Sequence, residues 1–429
     1  MLPQVQPRTF LASESEGPPD GDTDAQTQQR YMDIFNDIFE HFGLRDTRKV
    51  LATQSTDDER DDNRFDYDKI SMNTPHFSTR PDLVVLGHDP RLLPRAVDSY
   101  TRSMSAGREE RRELYRGCVA IGKVQRFTRW NEMDMMLEKV ATCARFAIFY
   151  APPLRSGCYG RECFLQQPGR QFVYCFSLTP KHFQLFLFDR HGVVKSESLN
   201  INEDAVQFVQ AIRLLAESNL STMGFDPTIY WEDGIQCVDI VDGVEGIPVT
   251  VKYVIDRIIS QKTTISGSGT LCWGLRTAGG GDHYVMKDIW RTDGDGREED
   301  FLFAIEQAGL NGVTKLHLVD DSFAKGGLSI ASLRRGQGLM GEVSDNRTFS
   351  RLIFEASGPS ICHFKSGLQL LQALRAVIQS ECCQSNMYSS TYVHFSPSTS
   401  GESWLAPQGH LSITHPTWRS RRPPSGCPD

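Results

Sequence analysis

The chain has 429 residues, is 39% hydrophobic and 23% charged, and carries a formal net charge of −8. That length and apolar content suit two or three domains, each with its own core, and exclude a wholly disordered, collagenous or membrane-embedded chain. The mild acidity gives no global pull toward nucleic acid, and none is expected as a partner.

The longest apolar runs, such as Phe146 to Leu154 and Phe183 to Phe188, are far shorter than the ~20 residues of a spanning helix. The first ten residues carry one Arg and two prolines and lack a secretory core. An intracellular protein, cytoplasmic or nuclear, without membrane contact is expected. The 11 cysteines never form a Cys-x-x-Cys pair, which points to reduced, buried thiols and to no metal site.

Residues 1–28, rich in Pro, Gly, Asp, Ser and Gln, read as a disordered tail. From Gln29 the apolar residues Tyr31, Ile34, Phe35, Ile38, Phe39 and Phe42 recur at helical spacing, and Gly43 follows as a stop. Asp57 to Asp68, with seven acids against two arginines, reads as a solvated loop. Short apolar runs at Pro81 to Leu86 and Gly117 to Val124 suggest strands. Glu132 to Ala147 has helical period, its methionines packing as core. Alternation in Phe172, Tyr174, Phe176 and Leu178, and again in Phe183, Leu185 and Leu187, predicts two strands. A third follows the turn Asp189-Arg190-His191-Gly192, and a helix then runs from Asn202 to Glu217. These elements make an α+β domain over residues 29–245.

A second domain opens at Gly246. Val249 to Ile259 is β-branched, Gly267-Ser268-Gly269 precedes a strand through Leu275, and His283 to Trp290 forms another strand. Arg297 to Ala308 is helical by period, Val313 to Val319 strand-like, Arg351 to Glu355 apolar, and Gly367 to Ser380 helical. From Cys382 there is no Lys, Ser and Pro abound, and the segment reads as a disordered tail with a basic end at Arg419 to Pro424.

Glycine lacks the Cβ that would hold an anion away, so Gly267 and Gly269 between two strands could present backbone N–H groups to phosphate oxygens. Lys287, eighteen residues after Gly269, shares a strand face with Val285. There the lysine could meet phosphates while Val285 covers an adenine ring. Such a lysine needs a carboxylate from the following helix. Glu298 is a candidate, four residues before Leu302 and seven before Ile305. Glu299 is another, turned one step toward Phe303, and Glu306 is a third. A hairpin turn and a snorkelling surface lysine are the alternatives.

The succession Ile265 to Trp273, Val285-Met286-Lys287-Asp288-Ile289-Trp290, Arg297-Glu298-Glu299, Gly312-Val313 and Asn346-Arg347 to Ile353 resembles the fungal-type protein kinase family. Upstream, Gln171-Phe172-Val173, Leu187 to Gly192, Asn200-Ile201-Asn202 and Gly224 to Ile229 are similar to that family's N-terminal region. The likeness spans roughly residues 30–380. It implies a protein-kinase-like N-lobe and a partial C-lobe at 246–381, ATP as cofactor, and phosphoryl transfer to protein hydroxyls. It also implies Glu355 to Ser357 as the hinge.

In that family the helix matched by Leu368 to Ile378 leads to a His-Arg-Asp loop and then to a magnesium-binding Asp. Residues 382–428 contain no aspartate, and His394-Phe395-Ser396 lacks the carboxylate partner. The resemblance therefore implies a truncated or inactive member, with magnesium uncertain and no catalytic residue assigned. A shifted reading frame or unspliced sequence would account for the tail. The competing expectation is a non-catalytic protein-interaction scaffold. Pro81-Asp82 and Gly122-Lys123-Val124-Gln125 also faintly resemble a restriction-type nuclease arrangement. Lys123 and Gln125 stand where Glu and Lys would be needed, so a structural strand pair is expected.

Overall fold

The computed structural model describes residues 24–52, 81–87, 116–124, 155–217, 219–242, 248–277, 279–292, 296–307, 314–320, 327–339, 343–355, 365–372, 374–375, 393–395 and 411–413. The acidic run at 57–68 and the methionine-rich segment at 132–147 lie outside them.

Helix α1 (Asp24–His41) begins earlier than the composition predicts, because Thr27 and Gln28 are already buried in its first turns. Its apolar stripe places Tyr31, Phe35, Ile38 and Phe39 in the core. Gly43 ends it at a φ of 69°, a left-handed value that favours glycine.

The first sheet runs in the order β1 (Arg48–Ala52), β2 (Leu83–Gly87), β3 (Cys118–Val124), β4 (Phe172–Leu178), β5 (His182–Asp189), β6 (Gly192–Lys195), with β7 (Leu199–Asn200) added to β5. The predicted antiparallel meander is β4-β5-β6. β3 and β4 are parallel, a pairing that requires a crossover, and the connection contains helix α2 (Arg155–Gln166). Helix α1 and helix α3 (Ala205–Leu215) contribute to the core on one face, where Phe35, Phe176, Phe183 and Phe208 pack ring against ring. The other face packs with α2 through Tyr159, Cys163 and Phe164 against Val84, Ile121, Val173 and Phe188. Strand alternation sorts the residues between the two layers.

The second sheet is antiparallel throughout. Its order is β13 (Leu316–Val319), β14 (Arg347–Glu355), β12 (His283–Thr292), β11 (Leu271–Thr277), β10 (Val249–Gln261), β9 (Ile235–Asp242), β8 (Ile229–Glu232). It therefore starts at Ile229, ahead of the boundary expected near Gly246. Asp233 and Gly234, at φ 50° and 77°, turn β8 into β9. β9 then pairs with β10 from Asp242↔Val249 to Cys237↔Val254. Helix α4 (Glu298–Gln307) lies between β12 and β13 in sequence, and Leu302 packs on Leu352 and Phe354.

Helix α5 (Ile330–Gly336), in the β13–β14 connection, starts with a reciprocal cap between Ser329 and Ser332. It reaches the first sheet. Arg334 forms two hydrogen bonds to the fully buried Asp189, at 2.7 and 3.0 Å, and Gln337 accepts from the Tyr174 hydroxyl at 2.6 Å. Residues 367–372 are helical as predicted, but Leu368 and Leu371 on that helix are exposed. Within the segment expected to be a disordered tail, Val393–Phe395 pairs antiparallel with Leu411–Ile413.

Candidate functional site

β12 lies inside the second sheet, so Lys287 has Cys272 of β11 on one side and Leu352 of β14 on the other. Its ammonium meets both carboxylate oxygens of Glu298, the first residue of α4, at 2.7 and 2.6 Å. Of the acids left open by the sequence, Glu298 is thus the lysine's partner. Glu299 turns the other way round the helix than the spacing suggested. It is the buried one, 2% exposed beside Leu302 and Ile305, while Phe303 faces outward, and its Oε1 accepts from Arg297 at 2.7 Å. Glu306 is exposed. Val285, two residues before the lysine on the same strand face, is partly buried against Leu302, Leu352 and Phe354.

The β10–β11 connection carries Gly267 and Gly269, whose φ values of 113° and 51° lie where side chains are strained. The hairpin is held from two sides. The Ser268 carbonyl accepts from the Trp290 N–H at 2.8 Å, tying the loop to the end of the lysine's own strand. The Gly267 N–H donates to the Arg190 carbonyl at 2.9 Å. A Cβ at Gly269 would lie 2.6 Å from Arg190 Nε, so this glycine makes room for an arginine of the first domain. Gly267 has open space around its missing Cβ.

The sequence reading missed Lys262, at the mouth of the hairpin. Its Nζ is 2.9 Å from Ser268 Oγ, which also pairs with Thr270 Oγ1 at 3.0 Å. Burial, and then the positive charges of Lys287 and Arg347, lower the Lys262 pKa. Such mutual repulsion between cations is what a bound anion relieves. Burial pushes the Cys272 thiol up to about 11 against the opposing pull of Lys287. A cation closing a strand just before a glycine run was the available signal for Lys262. Arg190 lay within the Leu187 to Gly192 stretch that resembles the family, but nothing local tied that turn to a hairpin about 75 residues downstream.

The hinge expected at Glu355 to Ser357 begins at the end of β14, and its last two residues lie outside the described ones. At the other comparison made from the sequence, both Asp82 oxygens are engaged, by Lys123 Nζ at 2.8 Å and the Val124 N–H at 2.7 Å. Gln125 is outside the described residues. Among the described residues no three His, Cys, Asp or Glu side chains gather as metal ligands, and no helix is long and apolar enough to cross a membrane.

The family model described as fungal protein kinase matches residues 154–382, more than half of the chain. The chain belongs to the fungal protein kinase family. The match ends where the composition changes, at Cys382. No curated protein and no solved structure matches this chain.

Proposed function

We propose that this protein binds ATP between the glycine hairpin and the Lys287–Glu298 pair without turning it over efficiently. The carrying observation is that ion pair, 2.6 Å at its shorter contact, set beside the hairpin on an inner strand. In sequence order β10, the hairpin, β11, the lysine strand β12 and the acid-bearing helix α4 follow the plan of a kinase N-lobe, in which the lysine of the third strand pairs with a helix Glu. Lys287 would hold phosphate oxygens, Glu298 would fix the ammonium, and Lys262 with Ser268 would add charge and a donor at the loop. Val285 would cover one side of the adenine. Gly267 and Gly269 would let the backbone approach the phosphates.

Bound magnesium would neutralise phosphate charge, and in this family an Asp beyond the final helix would hold it. The family's reaction, phosphoryl transfer to protein hydroxyls, also needs an acid that orients the attacking hydroxyl. Residues 382–428 contain no aspartate for either role. This supports a pseudokinase reading, in which the bound nucleotide serves structure or signalling and the substrate protein of an active relative becomes a binding partner.

The test is calorimetric titration with ATP, with and without magnesium, on the full chain. Wild type should bind, and Lys287→Met should weaken binding by at least tenfold while keeping its melting temperature within a few degrees. Absence of binding to wild type would leave the interaction scaffold as the better reading. Phosphorylation of a generic protein substrate, lost in Lys287→Met, would overturn the inactive assignment.

A further inference from the structure

The glycine hairpin does not stand free of the first domain. Ile265, just before it, is buried in the cluster formed by Tyr159, Phe164, Val173 and Phe188. Arg161 of α2 donates to the Thr263 carbonyl at 3.1 Å, and Gln261 donates to the Phe164 carbonyl at 2.9 Å.

At the centre of this contact is Arg190, in the tight turn between β5 and β6. Its carbonyl accepts from Gly267, and its Nη1 donates to the Thr264 and Ile265 carbonyls at 2.9 and 3.3 Å. Its guanidinium sits 4.2 Å from the centre of the Phe164 ring and fills the place of a Gly269 side chain. The residue is 6% exposed, and among the described residues no carboxylate lies within ion-pair distance of it. The adjacent Asp189 faces Arg334 and accepts from the His191 and Gly192 N–H groups, which fixes the turn from behind.

A buried arginine whose hydrogen bonds among the described residues all run from Nη1 to loop carbonyls, with its Nε left without a partner, is costly unless the loop shape itself is what matters. We propose that Arg190 is a positioning residue that sets the glycine hairpin for the phosphates of a nucleoside triphosphate. This inference rests on the nucleotide-binding reading above. It makes the first domain part of the nucleotide site: the turn at Asp189–Gly192 grips the loop from one side, and the Trp290 N–H holds it from the other. Without the grip the hairpin would sample many shapes, and the phosphate-binding conformation would be only a fraction of them.

Four full-length proteins test this: wild type, Arg190→Lys, Arg190→Gln and Gly269→Ala. The last attacks the same contact from the opposite side and guards against an arginine variant that fails to fold. Titration with a non-hydrolysable ATP analogue and with adenosine is paired with hydrogen exchange over residues 262–271. The analogue should bind at least tenfold more weakly to all three variants. Adenosine affinity should stay within about twofold, and exchange in the hairpin should quicken in the free protein. Arg190→Lys should recover part of the loss relative to Arg190→Gln.

Equal losses for adenosine and analogue would mean a general structural role and overturn the inference. So would unchanged analogue binding in variants whose hairpin exchange has risen. If wild type binds and Lys287→Met does not, while the Arg190 variants bind normally, only the positioning role falls. If wild type does not bind the analogue, the nucleotide reading itself falls and takes this role with it.

Discussion

Arg351 and Asp226 lie 125 positions apart in the chain, yet the guanidinium of the first donates to the carboxylate of the second at 2.7 Å, both of them buried. The same guanidinium makes two bonds to Asp288, at 2.7 and 3.1 Å, one to the Thr228 hydroxyl at 2.7 Å, and approaches Asp320 at 3.8 Å. Trp273 adds its indole N–H to Asp288 at 3.1 Å. One cation thus gathers acids from the approach to β8, from β12 and from the end of β13 onto β14.

Removing that cation leaves several carboxylates buried without their counter-charge. Arg351→Met is expected to cost about 3–5 kcal/mol in urea unfolding, the usual penalty for breaking a buried pair from one side. Arg351→Lys should recover little, because an ammonium cannot reproduce the fork. In Arg351→Met/Asp288→Asn the loss should be smaller than the two single losses added together. A single-variant cost below about 1 kcal/mol would show the cluster to be incidental.

Gly224 offers a second stability test with a different cause. Its φ is 89°, and a Cβ there would meet the Phe172 carbonyl oxygen at 2.2 Å, which is backbone within β4 and cannot swing away. The left-handed penalty of about 1–2 kcal/mol and the overpacking of about 1–3 kcal/mol act together in Gly224→Ala. The midpoint of denaturation should drop accordingly, with no recovery from trimming the Phe172 ring. Gly267→Ala, with open space around it, should pay the backbone term alone.

The difference between those glycines shows which parts of the fold the sequence could reveal. Helix α1 and the β4-β5-β6 meander were legible because period 3.6 and period 2 are imposed locally by burial of one face. The pairing of Lys287 with a helix acid was legible as a type of contact. Which acid it is was not, since Glu298 and Glu299 differ by one step of rotation that only the packing of Leu302 and Ile305 fixes. That the second sheet begins at β8 was not legible because β8 and β9 carry no composition change, and their place in it is decided by pairing with β10. The roles of Arg190 and Arg351 were invisible for the same reason: the partners of their side-chain hydrogen bonds lie 63 to 125 residues away, and no local pattern encodes a long-range hydrogen bond.

The two neighbouring glutamates should separate cleanly by experiment. Glu298 is about one fifth exposed and grips Lys287, so Glu298→Gln should weaken ATP-analogue binding about tenfold with a small change in melting temperature. Glu299 is nearly inaccessible and grips Arg297, so Glu299→Gln should lower the melting temperature and leave the analogue affinity of the folded protein near that of wild type. The reverse pattern would exchange their roles and refute the placement of α4.

The turn that carries Arg190 also supplies a pH response. Burial, followed by the positive charges of Arg334 and Arg347, lowers the His191 pKa below its ordinary 6.5, with Asp189 opposing. A base whose folded pKa is depressed binds fewer protons in the folded state than in the unfolded one, so stability rises with pH through that window. The contribution is complete above pH 6.5 and is lost as the pH falls from there toward the folded value. Urea midpoints of wild type should therefore decline between pH 7.5 and 5.5 more steeply than those of His191→Gln. Because the imidazole follows Arg190 directly, protection factors over residues 262–271, corrected for the slower intrinsic exchange at low pH, should fall as the pH drops through the same range in wild type and less in the variant. Parallel pH profiles for the two proteins would mean that this histidine titrates alike in both states and has no part in the response.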